Sequence, residues 1–280
     1  MKKTMTTIFA AFLFGTAAVC AQTTMRLDSI IVETIDGEKQ KNECTAYDSN
    51  GNLELMTVYD WDNDLDMWKI NSKTEYAYNS NGNENQTAIY NWDNNLNDWV
   101  KYAKTEVSYD ESNQAIQCIE YLWNGYAWNE VDVIDYTYDN TGKQTGIIYD
   151  ENHNIIYGKM ETVFNNTGQL SNIHFYLSSG DNEWSPYFKM EYACDENGNL
   201  ISGTQYQWDN HLNDWTLFYT AVYYYNPTPA ALSAVSAKKE ILKEEYYTIN
   251  GKPTTPVAKG IVIKRIIYTD NTIEVVKELK

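Results

Sequence analysis

A short motif, Tyr-Asp/Asn-x-x-Gly-Asn, recurs along this chain and limits what it can become. It stands at Tyr47–Asn52 and Tyr78–Asn83, and returns in varied form from Tyr109, Tyr138, Phe164 and Cys194, with a decayed copy at Tyr225-Asn226-Pro227. Successive first residues are 31, 31, 29, 26, 30 and 31 positions apart. A period of that size marks a supersecondary unit that cannot bury its apolar face alone. The motif is a turn of the Asn-Gly kind, which supplies the positive φ of a tight hairpin. Halfway between copies lies a longer turn, as at Asp62–Asp66, Asp93–Asp98 and Asp209–Asp214, rich in the Asn and Asp that tolerate left-handed backbone. Between turns stand stretches of Tyr, Ile, Val and Thr, which favour strands. Each period therefore reads as two strands, and the region as about six and a half hairpins in an antiparallel meander.

Period-2 alternation assigns the faces. Tyr78, Tyr76 and Thr74 share one face of their strand, as do Tyr109, Val107 and Thr105, and Cys194, Tyr192 and Met190. Three before the first residue of each motif, its anchor, stand Glu75, Glu106, Asp135, Glu161 and Glu191, an acidic ladder on the opposite face that reads as solvated and edge-protecting. Twelve after it stand Tyr59, Tyr90, Tyr121, Tyr176 and Tyr206. Trp61, Trp92, Trp123 and Trp208 follow at fourteen, and Trp68, Trp99 and Trp215 at twenty-one, with Trp184 one residue early. The two Trp of a unit flank the longer turn and should meet across the hairpin.

The expected sheet is open and twisted, or superhelical, with closure as a further alternative. An outer-membrane barrel is a rival, since the strands have the length and the Trp rows the look of an aromatic girdle. Against it, Lys69–Lys73 offers no continuous lipid-compatible face and the chain ends in charged Lys280. The expected domains are a signal peptide at 1–21, hairpins over 22–227, a linker at 228–235 and a small β module at 236–280. Lys2 and Lys3 precede a short apolar run ending at Ala21, the pattern of a secretory leader. A lipid on Cys20 is a weaker alternative.

The net charge of −18 leaves no basic patch to neutralise phosphates and argues against nucleic acid and anionic membranes. The remaining Cys44, Cys118 and Cys194 fit no metal or disulfide framework, and Cys118 and Cys194 read as buried small apolar residues.

The run Tyr76-Ala77-Tyr78-Asn79-Ser80-Asn81-Gly82-Asn83 resembles the YD repeats of secreted bacterial β-structures. The whole chain is similar to secreted hairpin-repeat proteins of Bacteroidetes. Tyr247–Pro253 followed by Lys259–Ile263 resembles the sorting tails of that phylum, which implies recognition by the type IX secretion machinery. A docking module is the alternative for this tail. Asp28-Ser29-Ile30 resembles the O-glycosylation tripeptide of these bacteria.

His153, His174 and His211 form no zinc motif, and neither a Gly-x-Ser-x-Gly elbow nor a phosphate loop occurs. Carboxylates are abundant, but an active site needs one singular constellation. No enzyme activity, cofactor or metal is expected. Asp60, Asp62, Asp64 and Asp66 have the alternate spacing of a calcium loop, but Leu65 stands where its glycine belongs, so a polar turn is the preferred reading.

The remaining expectation is a secreted, cell-surface or periplasmic binding protein without membrane-spanning segments. Trp61, Trp68, Trp92, Trp99, Trp208 and Trp215, with Tyr59, Tyr90 and Tyr206, are the candidate ligand contacts. Their rings can stack on sugars while neighbouring Asn and Asp bind hydroxyls, so a polysaccharide is the first candidate partner. The alternative is a structural or adhesive protein with surface-protein partners, in which the Trp rows are packing core.

Overall fold

A computed structural model describes residues 25–154, 156–165, 168–180, 183–227, 241–248, 252–256, 261–268 and 273–279. The expected signal peptide, the linker and parts of the tail lie outside the described residues. The chain divides into two compact units, one holding Arg26–Asn226 and the other Pro227–Lys280.

The first unit contains fourteen strands: β1 (Met25–Thr34), β2 (Lys39–Tyr47), β3 (Leu53–Asp62), β4 (Met67–Tyr78), β5 (Glu84–Asp93), β6 (Asp98–Tyr109), β7 (Ala115–Trp123), β8 (Trp128–Tyr138), β9 (Gln144–Asp150), β10 (Ile156–Phe164), β11 (Leu170–Gly180), β12 (Glu183–Cys194), β13 (Leu200–Asp209) and β14 (Asp214–Pro227). Each pairs with its neighbours in sequence, and β1 pairs with β14, so the sheet is a closed barrel. This overturns the expected open or superhelical sheet. The closing seam is marked by the Ile35 N–H donating to Phe218 O at 3.0 Å and by Asn226 Nδ2 donating to Asp28 Oδ1.

Two physical causes favour closure. One face of most strands is mainly apolar, and an open sheet would leave it wet and keep two unpaired edges. The hairpins also carry bulges at one recurring place. Asn71, Tyr102, Val131, Tyr157, Tyr187 and Phe218 are each skipped in the pairing. A bulge bends its strand and increases local twist, which curls a sheet.

The interior is a mainly apolar core that also buries Asn42, Glu120, Gln205 and several threonines. Ile30, Met56, Tyr76, Cys118, Ile134, Ile148, Met160, Phe175, Met190 and Ala221 are buried in one cluster. Phe175 stacks on Phe188 with centroids 5.1 Å apart. The face predicted from Tyr76, Thr74, Thr105 and Met190 is this interior face, and all four are buried. The anchor tyrosines hold one end together: Tyr78 and Tyr138 donate their hydroxyls to Leu53 O at 2.8 Å and Ala115 O at 3.1 Å, and Tyr47 and Tyr109 donate to Leu27 O and Glu84 O.

The glycine turns differ from the expected tight hairpin. Only the glycine is left-handed, with φ 89° at Gly51 and 82° at Gly82. Gly51 N–H donates to Asp48 O at 3.1 Å, and Asp48 N–H donates to Asn52 O at 2.9 Å. Asp48 Oδ1 accepts the Asn50 and Asn52 N–H groups, both at 2.8 Å. The motif is thus an Asx-capped turn followed by a left-handed residue. In the longer turns Asp66, Asn97 and Asn213 take the left-handed place, with φ 51–53°.

The second unit contains β15 (Ile241–Thr248), β16 (Ile261–Tyr268) and β17 (Ile273–Leu279) in one three-stranded sheet. Val262 and Ile266 are buried there. Of the tail motif, Tyr247 and Thr248 lie in β15 and Ile261–Ile263 in β16, with an isolated bridge from Tyr247 to Pro253.

Candidate functional site

The outward face carries a belt built from the same four side chains in five copies. Each copy takes a Lys and a Glu two residues apart from one even strand, a Tyr from the next strand and a Trp from the strand after that. Lys73 of β4 lies opposite Tyr90 of β5, and Trp99 follows on β6. Lys73 Nζ stands 4.6 Å from the Tyr90 ring centroid and 5.5 Å from that of Trp99. It also pairs with Glu75 at 2.6 Å. Lys41, Lys104, Lys159 and Lys189 repeat this over Tyr59, Tyr121, Tyr176 and Tyr206, at 4.2–4.8 Å. Their Trp partners are Trp68, Trp128, Trp184 and Trp215, at 5.3–5.8 Å. Glu43, Glu106, Glu161 and Glu191 complete the copies. The acidic ladder is therefore a row of ion pairs laid over aromatic rings. Burial, and then the adjacent glutamate, pushes the Tyr59, Tyr90 and Tyr121 hydroxyls above their ordinary pKa.

The tryptophans pair across the longer turns as their spacing predicts. Trp61–Trp68, Trp92–Trp99 and Trp208–Trp215 each meet edge to face, with centroids 5.1 Å apart and planes 71–73° apart. All six are half-buried, and no tryptophan belongs to either interior cluster. The tryptophan rows are therefore not barrel core. Sequence spacing missed the Trp123–Trp128 pair at 5.2 Å, because its turn is shorter. In β11–β12, Trp184 faces Ser178 instead of a second indole. The lysines were also missed. Their signal is plain in retrospect: Lys73, Lys104, Lys159 and Lys189 each stand five before an anchor. A cleft in the belt is lined by Tyr90, Lys101, Lys104 and Trp128, with Glu75 and Gln86.

The carboxylates of the longer turns are engaged in building those turns. Asp62 Oδ1 accepts the Asp64 and Leu65 N–H groups, both at 2.9 Å, and Asp62 Oδ2 pairs with Lys69. Asp209 does the same for His211 and Leu212, and these N–H groups hold its carboxyl below the usual range. Among the described residues no three His, Cys, Asp or Glu side chains converge as metal ligands. Cys44, Cys118 and Cys194 form no disulfide, and Cys194 is half-buried where full burial was expected. Ser29 of the Asp28-Ser29-Ile30 tripeptide lies half-buried within β1, beside fully buried Ile30.

The closed barrel is the topology of the outer-membrane rival, but its interior is mainly apolar and its outward face carries rows of paired Lys and Glu among the aromatic rings. Lipid-spanning barrels alternate the other way, and a Lys facing the bilayer midplane costs about 2–4 kcal/mol. No helix among the described residues is long and apolar enough to cross a membrane, which says nothing of a barrel.

No protein-family model matches the chain, and no curated protein matches it. Among solved structures, a porin-like protein from Bacteroides uniformis is similar at 11% identity and TM-score 0.42, covering 71% of this chain and 98% of that one. A protein of unknown function from Bacteroides fragilis covers 70% of this chain and 96% of its own, at 16% identity and TM-score 0.23. A DUF3836 family protein from Parabacteroides distasonis covers 46% and 94%, at 14% identity and TM-score 0.23.

Proposed function

We propose that this chain is a non-catalytic β-barrel of the cell envelope or exterior that binds extended polysaccharide along its outward aromatic belt. The observation that carries the reading is the recurrence of half-buried Trp and Tyr on the outer face, outside the core. An indole or phenol ring stacks on the C–H face of a sugar, and the adjacent Lys–Glu pair offers both donors and acceptors to hydroxyls. The lysines lie nearer the tyrosines than the tryptophans, so the tryptophans are the more available surfaces. Copies recur on alternate strands, about 10 Å apart at the usual strand spacing. A polymer can therefore engage several weak sites at once and gain avidity. Since each Lys is matched by a Glu on a strongly acidic protein, the belt suits a neutral glycan better than an anionic one. The leader and the sorting-like tail fit export through the type IX machinery.

Intrinsic tryptophan fluorescence, titrated with a panel of soluble polysaccharides, tests this. A saturable shift with a neutral polymer is expected, lost in a folded variant carrying Trp92→Ala and Trp99→Ala. No shift across the panel, or a shift that survives in that variant, overturns the reading. Flotation of the chain with phospholipid vesicles would instead return the barrel to a membrane.

A further inference from the structure

The two rims of the barrel differ in a way the fold does not require. Because the meander is up-and-down and closed, the turns leading from odd to even strands all lie at one end, and the glycine turns lie at the other. At the glycine end the tips are polar: Ser49-Asn50, Ser80-Asn81, Asn140-Thr141 and Glu196-Asn197. At the other end, five neighbouring tips each project one apolar side chain. These are Leu212, Ile35, Leu65, Leu96 and Tyr126, between 59% and 94% exposed. Their turns are β13–β14, β1–β2, β3–β4, β5–β6 and β7–β8, which closure places side by side around the rim. Turn geometry does not call for them. The aspartate caps and left-handed residues build the loop, and Leu65, Leu96 and Leu212 lend it only a backbone N–H.

We propose that this arc is a docking surface for a basic, amphipathic protein segment that buries the five tips. Charge decides the occupant. Asp36, Asp64, Asp66, Asp93, Asp98 and Asp214 lie among the tips, while Lys39 and Lys69, the cations of these turns, are already paired with Glu33 and Asp62. An anionic membrane or the same rim of a second copy would meet like charge. A partner with apolar residues flanked by Lys or Arg meets both features of the arc. Exposed apolar residues clustered on one edge and rimmed by charge are the usual mark of such a surface.

The experiment uses the purified chain and two synthetic probes with the same leucine pattern, one amphipathic with lysine and one with glutamate. Fluorescence polarisation should show binding of the lysine peptide only. The combined variant Leu65→Asn, Leu96→Asn, Tyr126→Asn and Leu212→Asn keeps every charge and should weaken that binding at least tenfold, with melting unchanged. The smaller variant Leu96→Asn with Tyr126→Asn should weaken it severalfold, and serves if the larger one folds poorly. Trp92→Ala with Trp99→Ala should leave it intact, separating the rim from the belt. Equal binding by the tip variants overturns the proposal, because attraction to acid alone would then explain it. So does equal binding of the glutamate peptide, binding to neutral phosphatidylcholine vesicles lost in the tip variants, or self-association lost in them.

Discussion

His153 Nε2 lies 2.7 Å from Asp135 Oδ2, and with Tyr149 this contact rebuilds the basic, acidic and tyrosine groups of a belt copy by a different route, without a tryptophan on β10. In the other copies a lysine precedes the acid by two. Here that place is Val133, which lies opposite Tyr149 across the β8–β9 pair. The histidine arrives from the β9–β10 turn, held left-handed at φ 60°, and its ring lies 4.2 Å from that of Tyr149. Both partners are substantially exposed, so the pair should be weak. A double-mutant cycle of His153→Ala and Asp135→Ala, read by urea denaturation, should give a coupling of about 0.2–1 kcal/mol that falls with salt. A coupling that is absent at low salt would remove the copy.

Glu120 is the most consequential buried acid. It is 2% exposed, its Oε1 has no hydrogen-bond partner, and burial followed by the Asp132 charge pushes its pKa up to about 8. The folded barrel therefore keeps a proton that the unfolded chain releases near the ordinary glutamate pKa of 4.5. Where the folded state binds more protons, stability falls as pH rises. The contribution is full below pH 4.5 and lost by about pH 8. Glu120→Gln should flatten this slope and raise stability at pH 8, by an amount on the order of a few kcal/mol. Chemical denaturation at several pH values measures it, and an unchanged slope would show that another group controls it.

Two glycines make room for neighbouring rings inside the barrel. A Cβ on Gly146 would sit 2.9 Å from Ile134 Cγ2 and 3.0 Å from Tyr136 Cε1. On Gly158 it would sit 3.0 Å from Phe175 Cζ. Gly146→Ala and Gly158→Ala should each destabilise by about 1–3 kcal/mol through overpacking. Melting by circular dichroism reads this.

The indole pairs give a separate energetic test. Trp92 and Trp99 meet at 5.1 Å, and an edge-to-face pair adds about 0.5–1.5 kcal/mol beyond its buried area. A double-mutant cycle to Leu should recover that coupling, and near-additive losses would mean the rings pack independently.

The aspartate that opens each longer turn should be worth a cap. Asp93 Oδ1 accepts the Asn95 and Leu96 N–H groups at 2.7 and 3.1 Å. Asp93→Ala should cost about 0.5–2 kcal/mol by analogy with helix caps, and Asp93→Asn much less. Equal losses for both would point to charge instead of the cap.

The hairpins, their spacing and the two faces of each strand were legible because they depend on neighbours. Alternation sorted Tyr76 and Thr74 from Glu75 without reference to the rest of the chain. Turn length placed Trp92 opposite Trp99, and failed for Trp123 only because its turn is shorter. The pairing of each glutamate with a lysine two residues before it was also legible, from the recurrence of Lys73 and its counterparts at that spacing.

The sequence by itself determined that these strands form, where they turn and which side chains share a face, since each follows from spacing within a few tens of residues. Only the tertiary structure decided that the sheet closes. β1 precedes the first motif and carries none, yet it pairs with β14 at the far end of the meander. That one long-range pairing made the Thr74 face an interior and the Trp face an exterior, and brought the Leu212 turn beside that of Ile35. Alternation names two faces but cannot say which is covered, because that depends on which distant strand the last edge meets.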